Sequence, residues 1–181
     1  MTQPEKWGVF GLLPVWIGIF IVSLMFTQES LLTDFDPHQK IHMASMSVAF
    51  EKDFTLEVNR ILEQDTTNLV LHLGTSDNCF CELLARQHVT ETAEYVKNNH
   101  LQYQELLLDK HLSLLTFISS VPAIAIFDAH GDLAYLGPYS AGLGCLTDIS
   151  YSERYLVNPP LHGPVIATET KGCYCQVNRP I

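Results

Sequence analysis

From Trp7 to Phe26 the chain carries no charged residue and would present apolar side chains on every face of a helix. Twenty helical residues rise about 30 Å, the thickness of the hydrocarbon core of a bilayer, so this run predicts one transmembrane helix. Pro14 is tolerated in such a helix, and Trp7 suits an interfacial anchor. Lys6 precedes the run, while Glu29, Asp34 and Asp36 follow it. This asymmetry places the N-terminus in the cytoplasm and residues 28–181 outside. One rival reading is a cleaved signal peptide. The length of the run and the lack of a small-x-small pattern in Met25-Phe26-Thr27-Gln28 speak against it. A buried core helix is the other rival, and globular helices rarely carry apolar residues on every face.

Beyond the run, the apolar pattern predicts a sequence of elements. Asp36-Pro37-His38-Gln39 reads as a helix start, with Asp36 as cap, Pro37 first in the helix and Gln39 completing a capping box. Apolar positions from Ile41 to Leu62 then recur at helical spacing, giving one or two helices over 37–64. Asn68–Gly74 reads as a central strand. An amphipathic helix opens at Cys79 and runs to about Asn98, a strand follows over 101–108, and a short helix over 110–119. Residues 122–127 and 133–136 form a hairpin around the turn at 128–132. A last helix is expected over 146–157, stopped by Asn158-Pro-Pro. The expected organisation is a stub and anchor (1–27), a linker with a helical extension (28–66), a core (67–157) and a cysteine-containing tail (158–181). A βαβ unit followed by a hairpin makes an α/β mixed sheet flanked by helices.

About 150 residues outside the anchor suffice for one domain with its own core. The formal charge of −10 excludes nucleic acid and anionic lipid surfaces as natural partners. The chain has neither a glycine-rich phosphate loop nor a nucleophile-elbow serine.

The chemistry rests on five cysteines: Cys79, Cys81, Cys145, Cys173 and Cys175. Outside the cytoplasm such thiols end in disulfides or on metals. The odd number leaves at least one free, metal-bound or paired with another chain. Cys79 at a helix N-terminus is a natural nucleophile, since exposed N–H groups and the helix dipole favour its thiolate, with Cys81 as resolving partner. Residues two apart on a helix do not face one another, so closing Cys79 onto Cys81 would bend the first turn. A strained bond of that kind would be oxidising. The plainer alternative pairs one or both with distant cysteines as structural staples. Cys173 and Cys175 repeat the spacing, either to exchange disulfides with the first pair or to act as a static staple. His88 follows Cys81 by two helical turns on one face, where it would tune a thiolate or bind metal. A partly buried side chain is the ordinary reading for it, as for His72. Zinc-type ligand spacing is absent, but clustered thiolates suit Cu(I).

Leu69-Val-Leu-His-Leu73, Cys79-Phe-Cys81 at a helix start, Val121-Pro122-Ala123, and the hairpin Ala125-Ile-Phe-Asp with Ala134-Tyr-Leu together resemble the thioredoxin fold over roughly residues 65–157. With His88, Gly137-Pro-Tyr-Ser140 and Gly172-Cys-Tyr-Cys175, the chain looks like a family of membrane-anchored bacterial thioredoxin-like proteins of unknown function. The resemblance implies a cis Val121–Pro122 bond beside the cysteine pair, where the backbone of residue 121 would pair with an extended substrate. A proline that merely begins an edge strand is the alternative. It also implies that Cys145 returns to the rim of the site as a third thiol or ligand, although burial as a small apolar side chain fits Cys145 equally. Two departures stand out: a single residue separates the cysteines, and Asn78 stands where tryptophan is usual.

The resulting expectation is a single-pass protein of the inner membrane with a periplasmic domain. It would be a thiol–disulfide oxidoreductase using Cys79, Cys81 and Pro122, without a cofactor, acting on protein thiols or disulfides. The alternatives are a copper-binding or chaperone module using Cys79, Cys81, His88, Cys173 and Cys175, and a non-catalytic envelope interaction domain with structural cysteines.

Overall fold

The computed structural model describes residues 13–24, 32–142 and 152–177. Helix α1 spans residues 13–24, and its apolar side chains, Val15, Trp16, Ile19 and Phe20 among them, are exposed. The rest of the expected span, 7–12 and 25–26, lies outside the described residues. Among the described residues no helix is long and apolar enough to cross a membrane.

The elements that follow are β1 (Thr33–Asp34), α2 (Lys40–Ser45), α3 (Phe50–Leu62), β2 (Leu69–Gly74), α4 (Phe80–Asn98), β3 (Gln102–Leu107) and a 3-10 turn (Leu112–Thr116). Then come β4 (Ser120–Val121), β5 (Ala123–Phe127), β6 (Leu133–Pro138), α5 (Glu153–Val157), β7 (Val165–Ile166), β8 (Lys171–Gly172) and β9 (Cys175–Gln176). The main sheet runs β3-β2-β5-β6-β7. β2 is parallel to β3 and antiparallel to β5, and β6 is antiparallel to β5 and parallel to β7. This is a mixed α/β sheet flanked by helices, compatible with a thioredoxin-like arrangement.

Side-chain alternation along the strands divides the core in two. Leu69, Leu71, Leu73, Ala123, Ala125 and Phe127 face one way, and Phe50, Phe54 and Val58 of α3 pack in the same cluster. Val70, Ile124 and Ile126 face the other way, clustered with Val96 of α4. Because both faces are covered, β5 reads as an unbroken apolar run, Ala-Ile-Ala-Ile-Phe, rather than an alternating one.

Several local expectations shift. Helix α2 begins at Lys40 rather than Pro37, which sits in the preceding turn. Gln39 is its N-cap, in the left-handed region at φ 51° and without a side-chain cap bond, so no capping box forms. Asp36 still satisfies the helix start from farther back, accepting the N–H groups of Lys40 (3.0 Å) and His42 (2.8 Å). The helix expected over 110–119 is a 3-10 turn of five residues. The last helix is described only from Glu153. The segment set apart as a tail supplies an edge strand, β7, to the main sheet and a buried ring, Tyr174, to the core.

Candidate functional site

The site forms where the loop after β2 meets the start of α4. Cys79 is the N-cap of α4 and has extended backbone angles (φ −91°, ψ 112°), whereas Cys81 already lies in the first helical turn. The two side chains therefore leave the chain on different courses, Cys79 half-buried and Cys81 buried. The loop itself is pinned from two directions. The Glu82 carboxylate accepts the Thr75 N–H at 2.7 Å, and Asp109 accepts the Ser76 N–H at 2.8 Å. Burial raises the Glu82 pKa, while the hydrogen bonds from Ser76 lower that of Asp109. Gly74 leaves room for this closure, since a Cβ there would stand 2.9 Å from the Glu82 carboxylate and displace it.

Across from this loop, β4 ends at Val121 and the Val121–Pro122 peptide bond is cis, as the resemblance implies. The edge of β4 carries the chain's own C-terminal segment. Val121 stands opposite Cys175, and Ser120 opposite Gln176, in an antiparallel pair. The Val177 N–H donates to the Ser119 carbonyl and the Gln176 amide to Ser120 Oγ. On its other side the segment pairs through β8 with β1. Tyr174 is its anchor. The ring meets Phe35 edge-on at 5.2 Å and the hydroxyl donates to the Ser140 carbonyl at 2.8 Å. Burial pushes the Tyr174 pKa up to about 12, so the phenol stays protonated and keeps that bond.

In an extended segment alternate residues point to opposite sides. With Tyr174 turned into the core, Cys173 and Cys175 both face the start of α4. Cys79 is bonded to Cys175, with Cα atoms 6.0 Å apart, and Cys81 to Cys173, with Cα atoms 5.3 Å apart. The bond expected between Cys79 and Cys81 is thus absent, and with it the bent first turn that made the pair look oxidising. The Sγ atoms of Cys79, Cys81 and Cys175 all lie within 4.8 Å of one another. Pro122 lies beside the second bridge, since Cys81, Leu84, Pro122, Tyr139 and Cys173 line one small cleft.

Other sequence candidates fall elsewhere. His88 is buried on α4 and lines a different cleft with Glu91, Tyr95 and Glu153; its Nδ1 is 3.8 Å from the Glu91 carboxylate. Among the described residues it is no member of the sulfur group. Cys145 lies outside the described residues. As for a metal, both bridges are closed here, and it is the thiolate that ligates soft ions. The donor set therefore fits Cu(I) only after reduction.

Sequence reasoning missed the role of two residues beneath the cleft. His72 Nδ1 and the Tyr139 hydroxyl are 2.9 Å apart, and Tyr139 also lines the cysteine cleft. Burial lowers the His72 pKa and raises that of Tyr139 well above the ordinary phenol value. The available signal was a histidine inside an otherwise apolar strand, where a buried polar group needs a partner.

Residues 47–177 match the family model described as a domain of unknown function, DUF6436, and the chain belongs to that family. No curated protein and no solved structure matches it.

Proposed function

We propose that this member of the DUF6436 family is a thioredoxin-like thiol–disulfide exchange protein, held to the inner membrane by the apolar run 7–26 with its domain on the periplasmic side. One observation carries the reading. Cys79 caps α4, and its sulfur partner, Cys175, is paired in register with Val121 beside the cis Pro122. The chain has thereby laid an extended, cysteine-bearing strand across the place where a substrate strand would add.

In the exchange, an external dithiol first reduces the Cys79–Cys175 bridge and itself becomes a disulfide; the freed Cys79 thiolate, favoured by the helix N-terminus, then attacks one sulfur of a substrate disulfide. A bond forms from Cys79 to that sulfur, and the other substrate sulfur leaves as a thiolate. Cys175 then attacks Cys79, the Cys79–Cys175 bridge reforms, and the substrate leaves, after proton uptake, as a dithiol. Pro122 shapes the edge against which the substrate backbone lies.

The test is exchange by the full-length protein in membranes, using a disulfide-bonded peptide and a small-molecule dithiol. Cys79→Ser is expected to abolish exchange. Exchange by Cys79→Ser at the wild-type rate would replace this reading with that of an interaction domain whose bridges are structural.

A second reading is favoured by the grouping of three sulfurs within 4.8 Å of one another. After reduction they match the thiolate environment that suits Cu(I). Stoichiometric Cu(I) uptake by the reduced protein, lost in Cys79→Ser, would support it.

A further inference from the structure

We propose that the C-terminal segment masks Cys79 and that Cys81 unmasks it by an exchange between the two bridges. Four sulfurs form two bonds, but only three of them, those of Cys79, Cys81 and Cys175, lie mutually within 4.8 Å. Cys81 thus belongs to one bridge while its sulfur stands beside both sulfurs of the other. Cys173 is the odd member, bonded to Cys81 but outside the group.

Opening the Cys81–Cys173 bridge therefore creates a thiol already next to a disulfide. An external protein dithiol performs the opening. Its two thiols become a disulfide, and Cys81 and Cys173 take up two electrons and two protons. Cys81 then loses its proton to water and attacks Cys175 Sγ. The Cys81–Cys175 bond forms, the Cys79–Cys175 bond breaks, and the electron pair departs on Cys79. This second step moves no net electrons. Its leaving group is the thiolate best placed to bear the charge, at the N-terminus of a 19-residue helix. The segment stays tethered through Cys175 while the nucleophile is freed. Two electrons entering at Cys173 thus switch on a cysteine that the reductant itself never touches.

The purpose of this switch rests on the thiol-exchange reading, but its chemistry does not, so the two are separable. The full-length protein is prepared in a Cys145→Ser background, with free thiols alkylated at pH about 8.5, where roughly half of an ordinary thiol is ionised. Bridged peptides are then located by mass spectrometry. In Cys173→Ser, a Cys81–Cys175 peptide is expected beside the Cys79–Cys175 peptide, neither below about a tenth of the other, with label divided between Cys79 and Cys81. In Cys81→Ser, Cys79–Cys175 is expected to persist alone, with label on Cys173. Retention of Cys79–Cys175 alone in Cys173→Ser overturns the proposal. Should either variant fail to fold, the wild-type bridges decide the matter with one equivalent of dithiothreitol. Label on Cys79 and Cys173 supports the exchange, and label on Cys81 and Cys173 overturns it. Bridge exchange without turnover of an external peptide would sink only the proposed function. Turnover without bridge exchange would sink only this inference.

Discussion

The strand β5 and the strap formed by residues 171–177 are both held by β-partners, yet they are stabilised in opposite ways. All five residues of β5 are buried, with β2 on one side, β6 on the other and apolar clusters on both faces. In the strap only Gly172 and Tyr174 are buried, and its strands are two residues long. Apolar burial stabilises by about 25 cal/mol per Å², which the sheet has in quantity and the strap gains chiefly from one ring. The strap is instead secured covalently, by two disulfides that span 96 and 92 residues. Reduction would leave this segment only its short strand pairings and the Tyr174 ring, while the sheet beneath it keeps all of its own contacts.

The largest expected effect lies on the sheet side. Phe54 is fully buried, 5.4 Å from the Phe117 ring and stacked on Phe127 at 6.0 Å. Phe54→Ala removes that filling and should cost about 3–5 kcal/mol in urea unfolding, with the bridge pattern unchanged. A loss below about 1 kcal/mol would mean that the aromatic cluster can collapse and that the contrast with the strap is overdrawn.

A smaller effect is expected from removing one bridge. With Cys79–Cys175 intact, the long loop stays closed, and Cys81–Cys173 closes only a ring of roughly six further residues. The chain-entropy relation then assigns the double variant Cys81→Ser/Cys173→Ser a loss of about 2 kcal/mol, against about 5 kcal/mol for the last bridge to be removed. Denaturant unfolding of that double variant, and of one in which Cys79→Ser and Cys175→Ser are added to it, measures both. Equal losses would show that the bridges constrain the chain independently and that the strap is not one unit.

The smallest effect is a pH dependence at the junction of the two regions, where His72 of β2 meets Tyr139 of the cysteine cleft. Burial holds the His72 pKa below its ordinary value in the folded protein. The unfolded chain therefore binds a proton first as pH falls. Stability should decline as pH drops through about 6.5 and continue to decline toward the folded pKa. His72→Gln should flatten that part of the stability profile between pH 7.5 and 5.5. An unchanged slope would place the titration elsewhere.

Much of the scaffold was legible because its signals are local. Leu-Val-Leu-His-Leu followed by a turn and a cysteine announces a buried strand and a helix start, and β2 and α4 lie where that pattern puts them. The hairpin of β5 and β6 follows from its apolar runs and the Asp128–Asp132 turn. Less was legible where local and distant demands compete. Asp36-Pro37 has the chemistry of a helix start, but the helix waits until Lys40 because Asp36 is drawn into a buried position. It reaches the helix N–H groups from there, and Ser119 Oγ donates to it at 3.4 Å. β7, β8 and β9 are two residues each, too short for any alternation to register.

The sequence by itself determined the order of the main elements, the apolar faces that build the sheet, and a cysteine at the head of a helix. Each of these follows from the fixed 3.6- and 2-residue periods of the backbone. Tertiary structure alone decided that Cys79 meets Cys175 and Cys81 meets Cys173, and that Cys175 and Gln176 lie along the edge of β4 beside the cis proline. Spacing carries no information about pairing. The two bridges join residues 96 and 92 positions apart, beyond the reach of any local periodicity.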